Sequence, residues 1–289
     1  MDTAERIRYE IDVTDVEYIK HGDKPYLARV YKPKGQGPFP LLIDIHGGAW
    51  VNKDRTSDEG TDAPLAKTGV VVASLDFRMP GDGANCAYPA SMQDINYAVR
   101  WFKANAAKFS IDANRVGILG VSSGGHQAML TAMRPHDATY SAVPGPAGVD
   151  STVQCAVMCW PVIDPLGRYE YAQGLKGGQH DKQAKNWLDS HDRYWGSTET
   201  MAQANPTRLL ERGETALTPP VVYLQGTADL AHPVPNRERF IAQYRKAGGA
   251  VDLHLFEGVG EAFITNDPNS QQAKDAVEKI IAFVHRELG

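Results

Sequence analysis

Cysteine is scarce in this chain: Cys86, Cys155 and Cys159 are the only three in 289 residues. An odd, sparse set builds no disulfide framework. Cys155 and Cys159 lie four apart in an apolar run with no second ligand pair nearby, which reads as buried core thiols and no metal site. An excess of positive charge is also missing. Thirty Lys and Arg stand against 35 Asp and Glu, a formal net charge of -5, which speaks against nucleic acid or an acidic membrane as a partner. No window approaches 18 uncharged apolar residues, so no membrane span is expected. Residues 1–10 are polar and lack the apolar core of a secretory leader, which makes the cytoplasm the default location. There is no internal repeat and no low-complexity tract. What remains is ordinary soluble composition, 42% hydrophobic and 22% charged, in a chain long enough to bury a large core.

The apolar pattern alternates between two periods. Residues 9–31 alternate apolar and polar around a turn at His21-Gly22-Asp23, as an antiparallel hairpin does. Short apolar runs at 40–46, 69–75, 115–121, 155–162, 220–225 and 251–256 have the length and composition of buried strands. Helical periods fill 91–108, 123–133, 235–247 and 270–287. Strands alternating with helices predict an α/β fold: one domain with a mostly parallel twisted sheet and helices on both faces. Between residues 165 and 205 the chain is polar and aromatic (Tyr169, Tyr171, Trp187, Tyr194, Trp195), which reads as a small helical lid inserted between two strands.

Two motifs carry chemistry. The strand ending at Leu119 runs into Gly120-Val121-Ser122-Ser123-Gly124-Gly125 and then a helix, so G-x-S-x-G stands in its strand–turn–helix setting. A nucleophile on such a sharp turn needs neighbours without side chains. The helix that follows presents free N–H groups, and the Ser123 N–H can face a developing oxyanion. The second motif is His46-Gly47-Gly48-Ala49-Trp50, directly after the first buried strand. There the glycines let the backbone approach the nucleophile, and N–H groups complete an oxyanion hole.

This pair of motifs resembles the esterase and lipase branch of the α/β-hydrolase superfamily, which holds hormone-sensitive-lipase-like, feruloyl-esterase-like and kynurenine-formamidase-like enzymes. Asp76-Phe77-Arg78, Tyr88-Pro89-Ala90 and Asp112-Ala113-Asn114-Arg115-Val116 are similar to that branch as well. The resemblance implies a serine hydrolase without cofactor, with oxyanion donors at Gly48, Ala49 and Ser123 and with the triad acid at Asp229 of the Gly226-Thr227-Ala228-Asp229 turn. It also implies a histidine in a G-x-G-H-x-F pattern after the last strand. This chain reads Gly258-Val259-Gly260-Glu261-Ala262-Phe263, with Glu261 in the histidine's place.

A carboxylate is a poorer base than imidazole, but one that shares a proton with a second carboxylate can act as a coupled acid and base. The leading expectation is therefore a variant site of Ser122, Glu261 and Asp229 that cleaves a small ester or related acyl bond through a seryl acyl-enzyme. Another histidine as base, with His232 nearest to Asp229, is a second reading. A lyase or ligand-binding protein that has lost hydrolysis is a third. Gly47, Trp50, His232 and Trp195 are the expected substrate contacts. The expected partner is a small-molecule ester, with a homodimer possible.

Overall fold

The computed structural model describes residues 9–289; part of the polar stretch read above lies outside them. One eight-stranded sheet has the order β1-β2-β4-β3-β5-β6-β7-β8. Its strands are β1 (Ile11–His21), β2 (Lys24–Pro33), β3 (Phe39–Ile45), β4 (Val71–Leu75), β5 (Ile111–Val121), β6 (Cys155–Cys159), β7 (Val221–Gly226) and β8 (Val251–Phe256). β1 and β2 form the antiparallel hairpin expected from the turn at Gly22, and β2 also pairs antiparallel with β4. Every pairing from β4 through β8 is parallel.

Parallel strands in this position are covered on both faces, so they read as continuous apolar runs. All seven residues of β3 are buried. Leu41, Ile43 and Ile45 belong to one buried cluster with residues of α2 (Ala90–Ala104), α3 (Ala106–Phe109), α4 (Ser123–Met133) and α9 (Val234–Lys246). Leu42, one step out of phase, belongs to a second cluster with residues of α1 (Glu59–Ala66), α10 (Phe263–Asn266) and α11 (Gln271–Leu288). α1 has no strong apolar stripe and holds Pro64 inside it, which is why periodicity did not disclose it. No helix among the described residues is long and apolar enough to cross a membrane.

The winding reverses at β3. Its sequence successor β4 lies on one side of it and β5 on the other. The C-terminal ends of β3 and β5 are thus neighbours at a topological switch point, where open α/β sheets form a crevice. The His-Gly-Gly loop leaves β3 here, and the Ser122 turn leaves β5.

Between β6 and β7 the chain runs through α5 (Pro165–Gly174), α6 (Asp181–Trp195), α7 (Thr198–Gln203) and α8 (Pro206–Glu211). A buried carboxylate pins both ends of this excursion. Asp164 caps α5 by accepting from the Gly167 N–H at 2.8 Å, and it accepts from Asn205 Nδ2 at 2.6 Å just before α8. Asp164→Ala removes a cap and leaves a buried amide without an acceptor, a loss of about 2 kcal/mol. Thermal melting should register it as a fall of about 5 °C.

Candidate active site

The elbow is built from close backbone approaches. Ser122 adopts φ 52° and ψ −115°, a conformation that side chains rarely adopt and that surrounding contacts must hold. The Ser122 N–H donates to the Cys159 carbonyl at 2.9 Å, and the Val162 N–H donates to the Ser122 carbonyl at 2.8 Å. Both bonds fasten the turn to the end of β6. A Cβ at Gly124 would run into the carbonyl oxygens of Ile45 and His46. Only glycine there lets α4 sit against the end of β3.

That approach brings the His-Gly-Gly loop beside Ser122. Gly47 faces it so closely that an added Cβ would stand 3.2 Å from the Ser122 Cβ. The loop turns through three successive left-handed residues, Gly48, Ala49 and Trp50, at φ 98°, 52° and 64°. His46 Nδ1 donates to the Gly47 carbonyl at 2.8 Å, and its ring stacks on Phe77 at 4.4 Å. Burial pushes this imidazole down to about 4, so it is neutral and serves as a brace for the loop. The Trp50 N–H donates to Ser123 Oγ at 3.0 Å and ties the loop to the helix start. Among the described residues, the N–H groups of Gly48, Ala49 and Ser123 have no protein acceptor. They are the three donors that the resemblance implies for an oxyanion.

The acid sits on the turn after β7. Asp229 Oδ1 accepts from the N–H groups of Ala231 and His232 at 2.8 and 3.1 Å, and Oδ2 accepts from His232 Nδ1 at 2.8 Å. One aspartate thus closes a tight turn with its first oxygen and grips the imidazole three residues on with its second. Gln225 Nε2 donates to the His232 carbonyl at 2.7 Å and holds the same turn from the strand end. The far side of the ring meets Ser122, with His232 Nε2 3.1 Å from Ser122 Oγ. A carboxylate only accepts, so Nδ1 carries the proton and Nε2 is free to take one from the hydroxyl. The Asp229 side chain is fully buried and His232 nearly so, while Ser122 is half-buried.

Glu261 is elsewhere. Its Oε2 lies 4.0 Å from His232 Nδ1, on the side of the ring away from Ser122, and its side chain is 45% exposed. The expected set of Ser122, Glu261 and Asp229 is not the one brought together: the imidazole of His232, and not the Glu261 carboxylate, reaches Ser122 Oγ. The physical reason is the three-residue spacing from Asp229, which folds His232 back over its own turn. His232, expected as a substrate contact and in a second reading as the base, stands between Asp229 and Ser122.

Trp50 and Trp195 also stand differently from expectation. Trp50 stacks on Tyr194 at 5.4 Å and meets Trp195, His191 and His126 edge-on. At 1% and 4% exposure, Trp50 and Trp195 present almost no surface to a ligand. They join the inserted helices to the His-Gly-Gly loop as core. His126 donates through Nε2 to the Ala204 carbonyl at 2.8 Å, and burial pushes it down to about 4. Arg168 of α5 reaches the acid turn, donating from Nε to the Ala231 carbonyl at 3.0 Å. A surface cavity of about 560 Å³, lined by Tyr88, Arg134, Tyr140 and Arg212 among others, includes none of Ser122, Asp229 or His232.

Comparison with known proteins agrees with this architecture. The BD-FAE family model matches residues 29–243. Esterase LipC of Mycobacterium tuberculosis is 26% identical over 280 residues, 93% of this chain and 65% of that protein. Versiconal hemiacetal acetate esterase of Dothistroma septosporum is 35% identical over 126 residues, 42% of this chain and 35% of that protein. The chain thus spans about a third to two thirds of the length of these curated relatives. Among solved structures, Thermogutta terrifontis esterase 2 phosphonylated by sarin superposes with a TM-score of 0.77 at 22% identity, covering 95% of this chain and 94% of that one. An esterase from Pyrobaculum calidifontis gives 0.75 at 22%, covering 99% and 89%. Both share the fold. With nearly three quarters of its length matched by the family model, the chain belongs to the BD-FAE family, within the esterase and lipase branch of the α/β hydrolases.

Proposed function

We propose that the chain is a serine carboxylesterase in which Ser122 is the nucleophile, His232 the general base and Asp229 the residue that orients it. The observation that carries this reading is the continuous line from Asp229 Oδ2 to His232 Nδ1 at 2.8 Å and from His232 Nε2 to Ser122 Oγ at 3.1 Å. The esterase names of the relatives support an ester as substrate.

The chemistry follows from the geometry. Ser122 Oγ adds to the acyl carbon while His232 Nε2 takes the hydroxyl proton. The carbonyl electron pair moves onto oxygen, where the N–H groups of Gly48, Ala49 and Ser123 stabilise it. Collapse of this adduct breaks the bond to the alcohol oxygen, which leaves with the proton returned from Nε2, and the acyl group stays on Ser122. Water then repeats the sequence and frees the acid. The imidazolium formed twice in this cycle is stabilised through Nδ1 by Asp229.

The direct test is covalent labelling. A fluorophosphonate probe should modify Ser122, as peptide mass mapping would show, and Ser122→Ala should take no label. Turnover of p-nitrophenyl butyrate should fall by at least about 10⁴-fold in the same variant. Labelling elsewhere, or turnover in Ser122→Ala near the wild-type rate, would refute the assignment.

A further inference from the structure

We infer that Glu261 is a second carboxylate partner of His232, a positioning residue that balances the charge of buried Arg168 so that Asp229 remains available to the imidazolium. This rests on the reading of His232 as general base. Three observations carry it. Glu261 Oε2 stands 4.0 Å from His232 Nδ1, the atom already bound to Asp229. The loop that bears Glu261 is fixed against the acid turn, since the Ala228 N–H donates to the Val259 carbonyl at 3.0 Å and the Gly258 N–H donates to Thr227 Oγ1 at 2.9 Å. Arg168, 2% exposed, reaches the same turn through Ala231 and has no carboxylate within 4.0 Å among the described residues.

An uncompensated buried guanidinium is costly. Arg168 also opposes the formation of a second positive charge close by, which is what the reaction requires of His232. The opposite charges that Arg168 feels are those of Glu261 and Asp229. The charge count then decides the matter. With Arg168, the imidazolium, Asp229 and Glu261 together, the group is neutral when the ring is protonated. Without Glu261 it carries one net positive charge at that moment. The other charged groups around the ring already have partners. Arg237 of α9 pairs with Glu238 at 3.7 Å, and Asp164 pairs with Arg239 at 3.3 Å. Because Glu261 is nearly half exposed, its field is partly screened and responds to salt.

The test is a set of variants assayed with p-nitrophenyl butyrate. Glu261→Gln should lower kcat about fivefold in 10 mM salt with KM little changed, and the deficit should shrink toward twofold in 1 M NaCl. Glu261→Asp should recover part of the loss. Removing the counter-charge, as in Arg168→Met, should make Glu261→Gln nearly silent in the double variant. A merely structural role for Glu261 would show neither the salt dependence nor this coupling. If His232→Asn is inactive while Glu261→Gln matches the wild type at both salt concentrations, the inference alone falls. If His232→Asn keeps the wild-type rate, the assignment of the base falls and this inference with it.

Discussion

His232→Asn should lower kcat/KM for a p-nitrophenyl ester by at least about 10⁴-fold, the scale on which serine hydrolases lose rate when the base fails. Asparagine fills a similar volume, and its backbone N–H can still donate to Asp229 Oδ1 as that of His232 does, so the turn keeps its shape. What is lost is a nitrogen at 3.1 Å from Ser122 Oγ that can hold a proton. At neutral pH a serine hydroxyl without a base is a poor nucleophile. Residues that act as one unit are not additive in their effects. The Ser122→Ala/His232→Asn double variant should therefore be no slower than either single one, with the residual rate set by the oxyanion donors alone. The competing assignment makes the opposite forecast. If Glu261 moved the proton, His232→Asn would cost only a contact and Glu261→Gln would abolish turnover. A comparison of the two single variants in one assay separates them.

The fold and the sharp turn at Ser122 could be read from the chain because both rest on local signals. Buried parallel strands declare themselves as runs such as Leu41 to Ile45, all buried, and Ser122 stands between glycines that only a close backbone approach requires. The base could not be assigned with the same means. Family spacing pointed to position 261, while the decisive contact is made by a side chain three residues from Asp229. The signal was present, since Asp-x-x-His lets one carboxylate cap the turn and also bind the ring that the turn carries. Recognising it required knowing that Asp229 Oδ1 accepts from the His232 N–H, which is a matter of turn geometry and not of composition. The aromatic residues depart from expectation for a related reason. Trp50 follows the oxyanion loop in sequence, but its φ of 64° turns it toward Tyr194 and the inserted helices. Aromatic content alone does not distinguish a pocket wall from a core.

Raising the pH from 5 to 8 should destabilise the protein through three carboxyl groups far from any cation able to neutralise them all. Asp44, on the face of β3 that meets α1, is fully buried, as is Asp62 within α1, and Asp58 just before α1 is 3% exposed. Ser74 Oγ donates to Asp44 Oδ2 at 2.7 Å. Asp44 Oδ1, Asp58 Oδ2, both oxygens of Asp62 and the Tyr31 hydroxyl are buried without a protein partner. Burial raises all three acids above the ordinary carboxyl range, and the negative charge of Asp58 adds to the rise at Asp44, with Lys53 opposing it only in part. Asp58 is pushed up to about 6. A group whose folded value lies above its unfolded value of 3.8 binds its proton more tightly in the folded state. Its stabilising contribution is complete below pH 3.8 and is lost as the pH climbs through 6. Across the whole transition Asp58 loses about 3 kcal/mol, of which roughly half falls between pH 5 and 8, or about 3–5 °C in Tm. Asp58→Asn keeps the shape and cannot ionise, so its Tm should fall less between pH 5 and 8 and should exceed the wild-type value at pH 8. Asp62→Asn should act in the same direction, because removing one charge eases ionisation of the other two. Melting curves at pH 5, 6, 7 and 8 for the wild type and both variants decide the point. Parallel pH dependences in all three proteins would mean that these carboxyl groups do not set the stability of the fold under α1.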